Sequence, residues 1–220
     1  YLFGGTLLLC INGEDAAELR MITGELGGDT MQNGIKANIQ GRRRIKFQLE
    51  IMHRGLQVIM PDLPTQDGFL GISFSGGFAS ISFIQTVANK EPISELTAAT
   101  LRVGEKQFDE LARLKKRGLI DKADFFVGSI MRETAKAKYD YFRRFQNVCK
   151  ENGWEYHVTN NHAKVVLMRT AKNYYVLETS SNLNENPKIE QFSLENNKQV
   201  YDFYYNFFEE LSGDNVAKGK

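Results

Sequence analysis

Two hydrophobic patterns divide the chain. Within the first 64 residues, apolar positions alternate with polar ones over 35–51. Ile35, Ala37 and Ile39 alternate, then Gly41 and three arginines intervene, and Ile45, Phe47, Leu49 and Ile51 alternate again. Period two on both sides of a turn predicts a hairpin. Residues 2–11 read as a buried strand. Residues 14–26 read as a helix with Asn12 as its cap, broken by Gly27-Gly28-Asp29. A short strand over 56–60 is ended by Pro61 and Pro64. From Phe69 onward strands and helices take turns: a strand over 69–74, helical spacing of Phe78, Ile81, Ile84 and Val87, a strand over 95–103, and a helix over 104–117 stopped by Gly118. A strand over 123–130 and an amphipathic helix over 132–151 follow, with Gly153 at the helix end. Residues 154–159 lead into a hairpin whose strands flank a polar turn at 170–173. A strand over 189–194 and an aromatic-rich helix over 198–211 complete the pattern.

This βαβα order predicts an α/β sandwich with a mostly parallel central sheet and right-handed crossovers. The expected organisation is a β-rich N-terminal extension over 1–64, a main domain over 65–212 and a polar tail over 213–220.

Composition narrows the function classes. The chain has 220 residues, 42% hydrophobic and 25% charged, with 15 Phe and 9 Tyr, as expected of a globular protein with a large core. Net charge is +1, so no global field gathers nucleic acid or anionic lipid, and any such binding uses local patches. Arg42-Arg43-Arg44 at the hairpin turn is one such patch, or a solvated turn. No segment reaches the roughly 20 apolar residues of a membrane span. Cys10 and Cys149 lie far apart and form no motif, which suits free thiols in a reducing, cytoplasmic compartment.

The dense cluster of chemically capable side chains lies between Asn161 and Gln191. His162 and Lys164 are two apart in a run that reads as a strand, so imidazole and ammonium emerge on one face. Ser180 and Asn182 repeat the spacing after the next run. A hairpin turn centred on Ala171 sets His162 opposite Ser180 and Lys164 opposite Glu178, to within one residue of register. A neutral imidazole can attack phosphorus and form a covalent phospho-histidine. Lysine, hydroxyl and carboxamide groups can hold the non-bridging oxygens as charge develops. Glu190 is the candidate carboxylate behind the ring, fixing its tautomer. Such a scheme needs no metal or cofactor, and the sequence offers no obvious metal site. The alternatives are a hydrogen-bonded core histidine and, for Lys164 with Glu178, an ordinary cross-strand ion pair.

His162-Ala-Lys164, Ser180-x-Asn182 and Glu190 together resemble the HxK...GSxN...E signature of the phospholipase D superfamily. SSNLNENPKIEQF is similar to the tail of its single-motif, nuclease-like members from phages and bacteria. The resemblance covers about two thirds of the chain, from Phe69 to Leu211. Three positions depart from it: Arg169 stands where the family has an acidic residue, Thr179 where it has glycine, and Glu178 can pair with the lysine.

The resemblance implies a phospholipase D-like catalytic domain and a metal-independent phosphodiesterase acting on DNA or RNA, in a bacterial cell or encoded by a phage. His162 is the expected nucleophile, with Lys164, Ser180 and Asn182 on the phosphoryl group and Glu190 behind the ring. Phosphoryl transfer of this kind uses two imidazoles, one to attack and one to protonate the leaving oxygen. His53 and His157 lack a partner lysine, so the second imidazole is expected from a symmetric homodimer with the site at its interface. The rival readings are a non-catalytic binding or assembly protein, and a lipid phosphodiesterase.

Overall fold

The computed structural model describes residues 8–9, 56–57, 60–75, 79–133, 141–184 and 189–217. The expected helix over 14–26, the hairpin around Arg42-Arg43-Arg44, His53 and Cys10 lie outside these residues. The elements are β1 (Leu8–Leu9), β2 (Phe69–Ser75), α1 (Ile81–Lys90), β3 (Ile93–Thr100), α2 (Glu105–Lys116), β4 (Ile120–Gly128), α3 (Ile130–Glu133), α4 (Tyr141–Asn152), β5 (Glu155–Thr159), β6 (Val165–Arg169), β7 (Tyr174–Thr179), β8 (Ile189–Asn196) and α5 (Lys198–Ala217). The single helix expected over 132–151 is represented by α3 and α4, with 134–140 between them undescribed, and α5 continues beyond Leu211 into the expected tail.

Among the described residues, eight strands form one sheet in the order β1-β2-β8-β7-β6-β3-β4-β5. α1, α2 and α4 pack their apolar stripes on one face, around Ile84, Leu96, Phe108, Phe125 and Phe145. α5 covers the other face, where Tyr201 and Phe208 meet Phe126, Val165, Leu167 and Val176. A strand buried on both faces must be apolar throughout, and Leu96, Ala98 and Ala99 of central β3 are at most 1% exposed.

The sheet is mostly antiparallel, a correction to the sequence expectation. Only β3–β4 and β4–β5 run parallel; every other neighbouring pair is antiparallel. The βα alternation governs just the strands joined by α2 and by the α3–α4 segment. After β5 the chain crosses to the far side of β3, where β6 pairs antiparallel. The hairpin and the return strand then add β7 and β8 antiparallel in turn. The crossing spans three strand spacings, about 14 Å. The six Cα steps from Thr159 to Val165 reach about 20 Å fully extended, enough for the crossing.

Two glycines end helices as expected. Gly118 (φ 72°) and Gly153 (φ 64°) take the left-handed conformation. The amides beyond them return to Leu114 O (3.0 Å) and Cys149 O (2.8 Å), the hydrogen-bond pattern of a glycine C-cap. The β6–β7 turn is held by Glu91, whose carboxylate accepts hydrogen bonds from Thr170 Oγ1 (2.7 Å) and Asn173 Nδ2 (2.9 Å).

Two arginines are occupied with packing. Arg169 pairs with its cross-strand neighbour Glu95 at 2.9 Å. Arg144 bridges Glu105 (2.9 Å) and Asp109 (2.6 Å) and lies over the Phe108 ring, tying α4 to α2.

Candidate active site

The short connection from β5 to β6 builds the site. It crosses the carboxyl ends of β4 and β3, the edge at which open α/β sheets place their ligands. Asn161 fastens it: its Nδ2 donates to Phe126 O of β4 (2.8 Å), and its Oδ1 accepts from the Ala163 amide (2.8 Å). His162 and Lys164 therefore sit on this connection, not within a strand as the alternation suggested; β6 begins at Val165.

His162 is exposed, while Lys164 is half-buried. The Lys164 ammonium lies 3.2 Å from His162 Nδ1 and donates to the His162 carbonyl at 2.8 Å. An ammonium has no acceptor, so Nδ1 accepts from it. Burial lowers the Lys164 pKa from its ordinary value, and the nearby Glu190 carboxylate partly offsets this. Ser80, Thr100, Thr179 and Ser181 gather beside Lys164, with Ser80, Thr100 and Ser181 buried.

Glu190, on the buried face of β8, is 6% exposed. It accepts a hydrogen bond from Ser180 Oγ, which itself accepts from the Gln191 amide at 3.0 Å. Glu190 thus rests against Ser180 and within electrostatic reach of Lys164. Among the described contacts, no hydrogen bond joins the His162 ring to Ser180 or Asn182. Asn182 reaches the end of β3, where its Oδ1 accepts from the Leu101 amide at 3.2 Å. No partner is described for its Nδ2, which leaves two donors for a ligand.

The hairpin register explains Glu178. Val165, not Lys164, is paired with Glu178. One residue of register exchanges the faces of a strand. Glu178 therefore joins the α5 side, where Tyr204 Oη donates to it. The expected Lys164–Glu178 pairing does not form. Thr179, standing where the superfamily signature has glycine, uses its Oγ1 to accept from the Ser181 amide at 2.9 Å and so turns the chain toward Asn182.

Two contributors escaped the sequence reading. Asn161 precedes the motif and carries no spacing signal of its own. Gly128 lies beneath the connection: a Cβ there would meet Leu101 O at 2.9 Å and Asn161 O at 3.1 Å.

No family model and no curated protein matches the sequence. Solved structures do. A polyphosphate kinase from Porphyromonas gingivalis aligns with a TM-score of 0.50 and 17% identity, over 67% of this chain and 24% of the kinase. An archaeal chromatin protein described as showing a novel mode of DNA binding aligns at 0.45 and 12%, over 90% of this chain and 66% of its own. The phosphatidylserine synthase of Haemophilus influenzae Rd KW20 aligns at 0.38 and 14%, over 65% of this chain and 38% of the synthase. The chain thus spans about a quarter of the kinase it matches. At such identities the likeness is one of fold, and the kinase is the neighbour whose score supports it. The mixed α/β architecture of this chain is thus similar to that of the aligned quarter of the kinase.

Proposed function

We propose that the chain catalyses phosphoryl transfer at a phosphodiester, as a nuclease on DNA or RNA, through a covalent phospho-histidine on His162. The reading rests chiefly on the contact of Lys164 Nζ with His162 Nδ1 at 3.2 Å, near exposed Ser180 and the buried Glu190 that it donates to. A cation and a nucleophile lie together at a solvent-facing sheet edge, with hydroxyl and amide donors nearby.

Attack through Nε2 needs the ring proton on Nδ1, where Lys164 now donates. Phosphate oxygens entering the site compete for the ammonium and draw it off the ring, so substrate binding and activation of the nucleophile are coupled. The Nε2 lone pair then forms the P–N bond as the P–O bond to the leaving group breaks. Lys164 and Asn182 Nδ2 stabilise the non-bridging oxygens, joined by the Ser180 hydroxyl once its single proton turns from Glu190 to the phosphoryl group. The departing oxygen takes a proton from a second imidazole, His162 of a symmetry-related copy. Water, deprotonated by that imidazole, attacks phosphorus, the P–N bond breaks and the ring is released. Glu190 holds the Ser180 hydroxyl and supports the charge on Lys164.

The test is nicking of single- and double-stranded DNA and RNA in excess EDTA. The wild-type chain cleaves, and His162→Ala lowers the rate by about 10³-fold or more. Cleavage that survives in His162→Ala removes the assignment. Nucleic-acid binding without turnover, equal in both proteins, returns the chain to the class of binding or assembly proteins.

A further inference from the structure

A second group of ligating side chains lies outside the His162 site, on the α5 face of the sheet. The parallel register of β4 and β5 sets Asp124 beside Glu155 and Phe126 beside His157. Because β-strands repeat every two residues, Asp124, Glu155 and His157 share the face of Phe126. The imidazole is held flat against Phe126 (4.7 Å between centroids, 20° between planes), which itself stacks on Phe208 of α5. A carboxylate oxygen from Asp124, one from Glu155 and a ring nitrogen of His157 all lie within 4.8 Å of one another.

The pairing of His157 with Asp124 is not that of a satisfied ion pair. Nε2 and Oδ1 are 3.2 Å apart. Both atoms are shielded from solvent, yet they are not aligned for a hydrogen bond and have no other described hydrogen-bond partner. Two donor atoms side by side, each with an unused lone pair, suit a third body between them. Bonds of about 2.0–2.2 Å to a tetrahedral zinc ion put neighbouring ligand atoms roughly 3.3–3.6 Å apart, close to the spacing already present. Glu155 is exposed, so rotation of its side chain closes the remaining gap. Local charge agrees. Glu209 of α5 adds a nearby third carboxylate, and Asp124 is pushed up to about 6, chiefly by burial, with Glu155 and Glu209 adding to the rise against the opposing effect of His157.

We propose that Asp124, Glu155 and His157 form a binding site for one divalent transition cation of the zinc type, pinning edge strand β5 to β4. One imidazole among the oxygens selects borderline cations such as Zn²⁺ or Co²⁺ over Mg²⁺ and Ca²⁺, which prefer all-oxygen shells. With three protein ligands, water fills the remaining position. The sequence hides the site because Asp124 lies 31 and 33 positions before Glu155 and His157, and only the β4–β5 pairing joins them.

The experiment uses the whole chain, stripped with chelator and titrated with Zn²⁺ by calorimetry and with Co²⁺ by visible absorption. The expected result is one ion per chain, a cobalt d–d band, and a higher Tm with Zn²⁺ but not Mg²⁺. His157→Ala and Glu155→Gln each weaken binding at least tenfold, while His162→Ala binds as the wild type does. Glu155→Gln, at an exposed position, decides the matter if His157→Ala fails to fold. Equal Zn²⁺ binding by wild type and Glu155→Gln overturns the proposal, as does loss of the ion in His162→Ala. Nuclease activity is not a readout here, so the outcome is independent of the phosphodiesterase reading.

Discussion

At the scale of single residues, Lys164 has the most to do and its charge is the most conditional. The ammonium binds phosphate only while protonated. Burial lowers its pKa and Glu190 raises it, with burial the larger effect. Activity therefore falls as pH rises through a value below that of an ordinary lysine. Glu190→Gln removes the stabilising carboxylate, so the alkaline limb of the kcat/KM profile moves to lower pH. Ser180→Ala, which leaves Glu190 charged, moves it less. An alkaline limb unchanged in Glu190→Gln would show that Lys164 does not set it. Glu178 makes the complementary point. It lies two residues from Ser180 in sequence, yet its carboxylate receives Tyr204 on the opposite face of the sheet. Polarity and proximity along the chain said nothing about that, because a single step of hairpin register decides which face a side chain takes.

At the scale of elements, the connection over 160–164 is the part on which the geometry turns. It is short, it is tied to β4 through Asn161, and it rides directly over Gly128. Gly128→Ala forces a methyl group against the backbone oxygens of Leu101 and Asn161. The expected cost is about 1–3 kcal/mol, read as a lower midpoint in urea, with a larger loss of nicking rate because Leu101 and Asn161 hold Asn182 and the His162 connection. Normal stability and normal activity in Gly128→Ala would refute the close contact. Much at this scale was legible beforehand. Helices end at Gly118 and Gly153 because glycine takes positive φ without steric cost, a local property. The hairpin turn at 170–173 was legible from its polar residues. The place of His162 was not, since a short extended connection and a strand share the same alternation of side chains.

At the scale of the whole molecule, the proposed chemistry asks for two His162 rings and the chain supplies one. A symmetric dimer is the expected species, and light scattering after size exclusion should give twice the 25.1 kDa chain mass. A strict monomer with full activity in EDTA would exclude the shared site. No helix among the described residues is long and apolar enough to cross a membrane. Cys149 is buried, and its thiol is pushed up to about 12, mainly by burial, so it is a packing residue with little thiolate at neutral pH.

By itself the sequence determined the approximate order of helices and strands from Phe69 onward and the glycine stops at Gly118 and Gly153, and it marked the residues proposed to act on phosphorus. These follow from periodicity and side-chain chemistry, which operate within a few positions. Strand direction, the face taken by Glu178, the seat of Glu190 against Ser180 and the meeting of Asp124 with His157 were decided by the tertiary structure alone. Each depends on which strands become neighbours and in what register, and that is settled by burial of the two sheet faces beneath α1, α2, α4 and α5, not by any local run of residues.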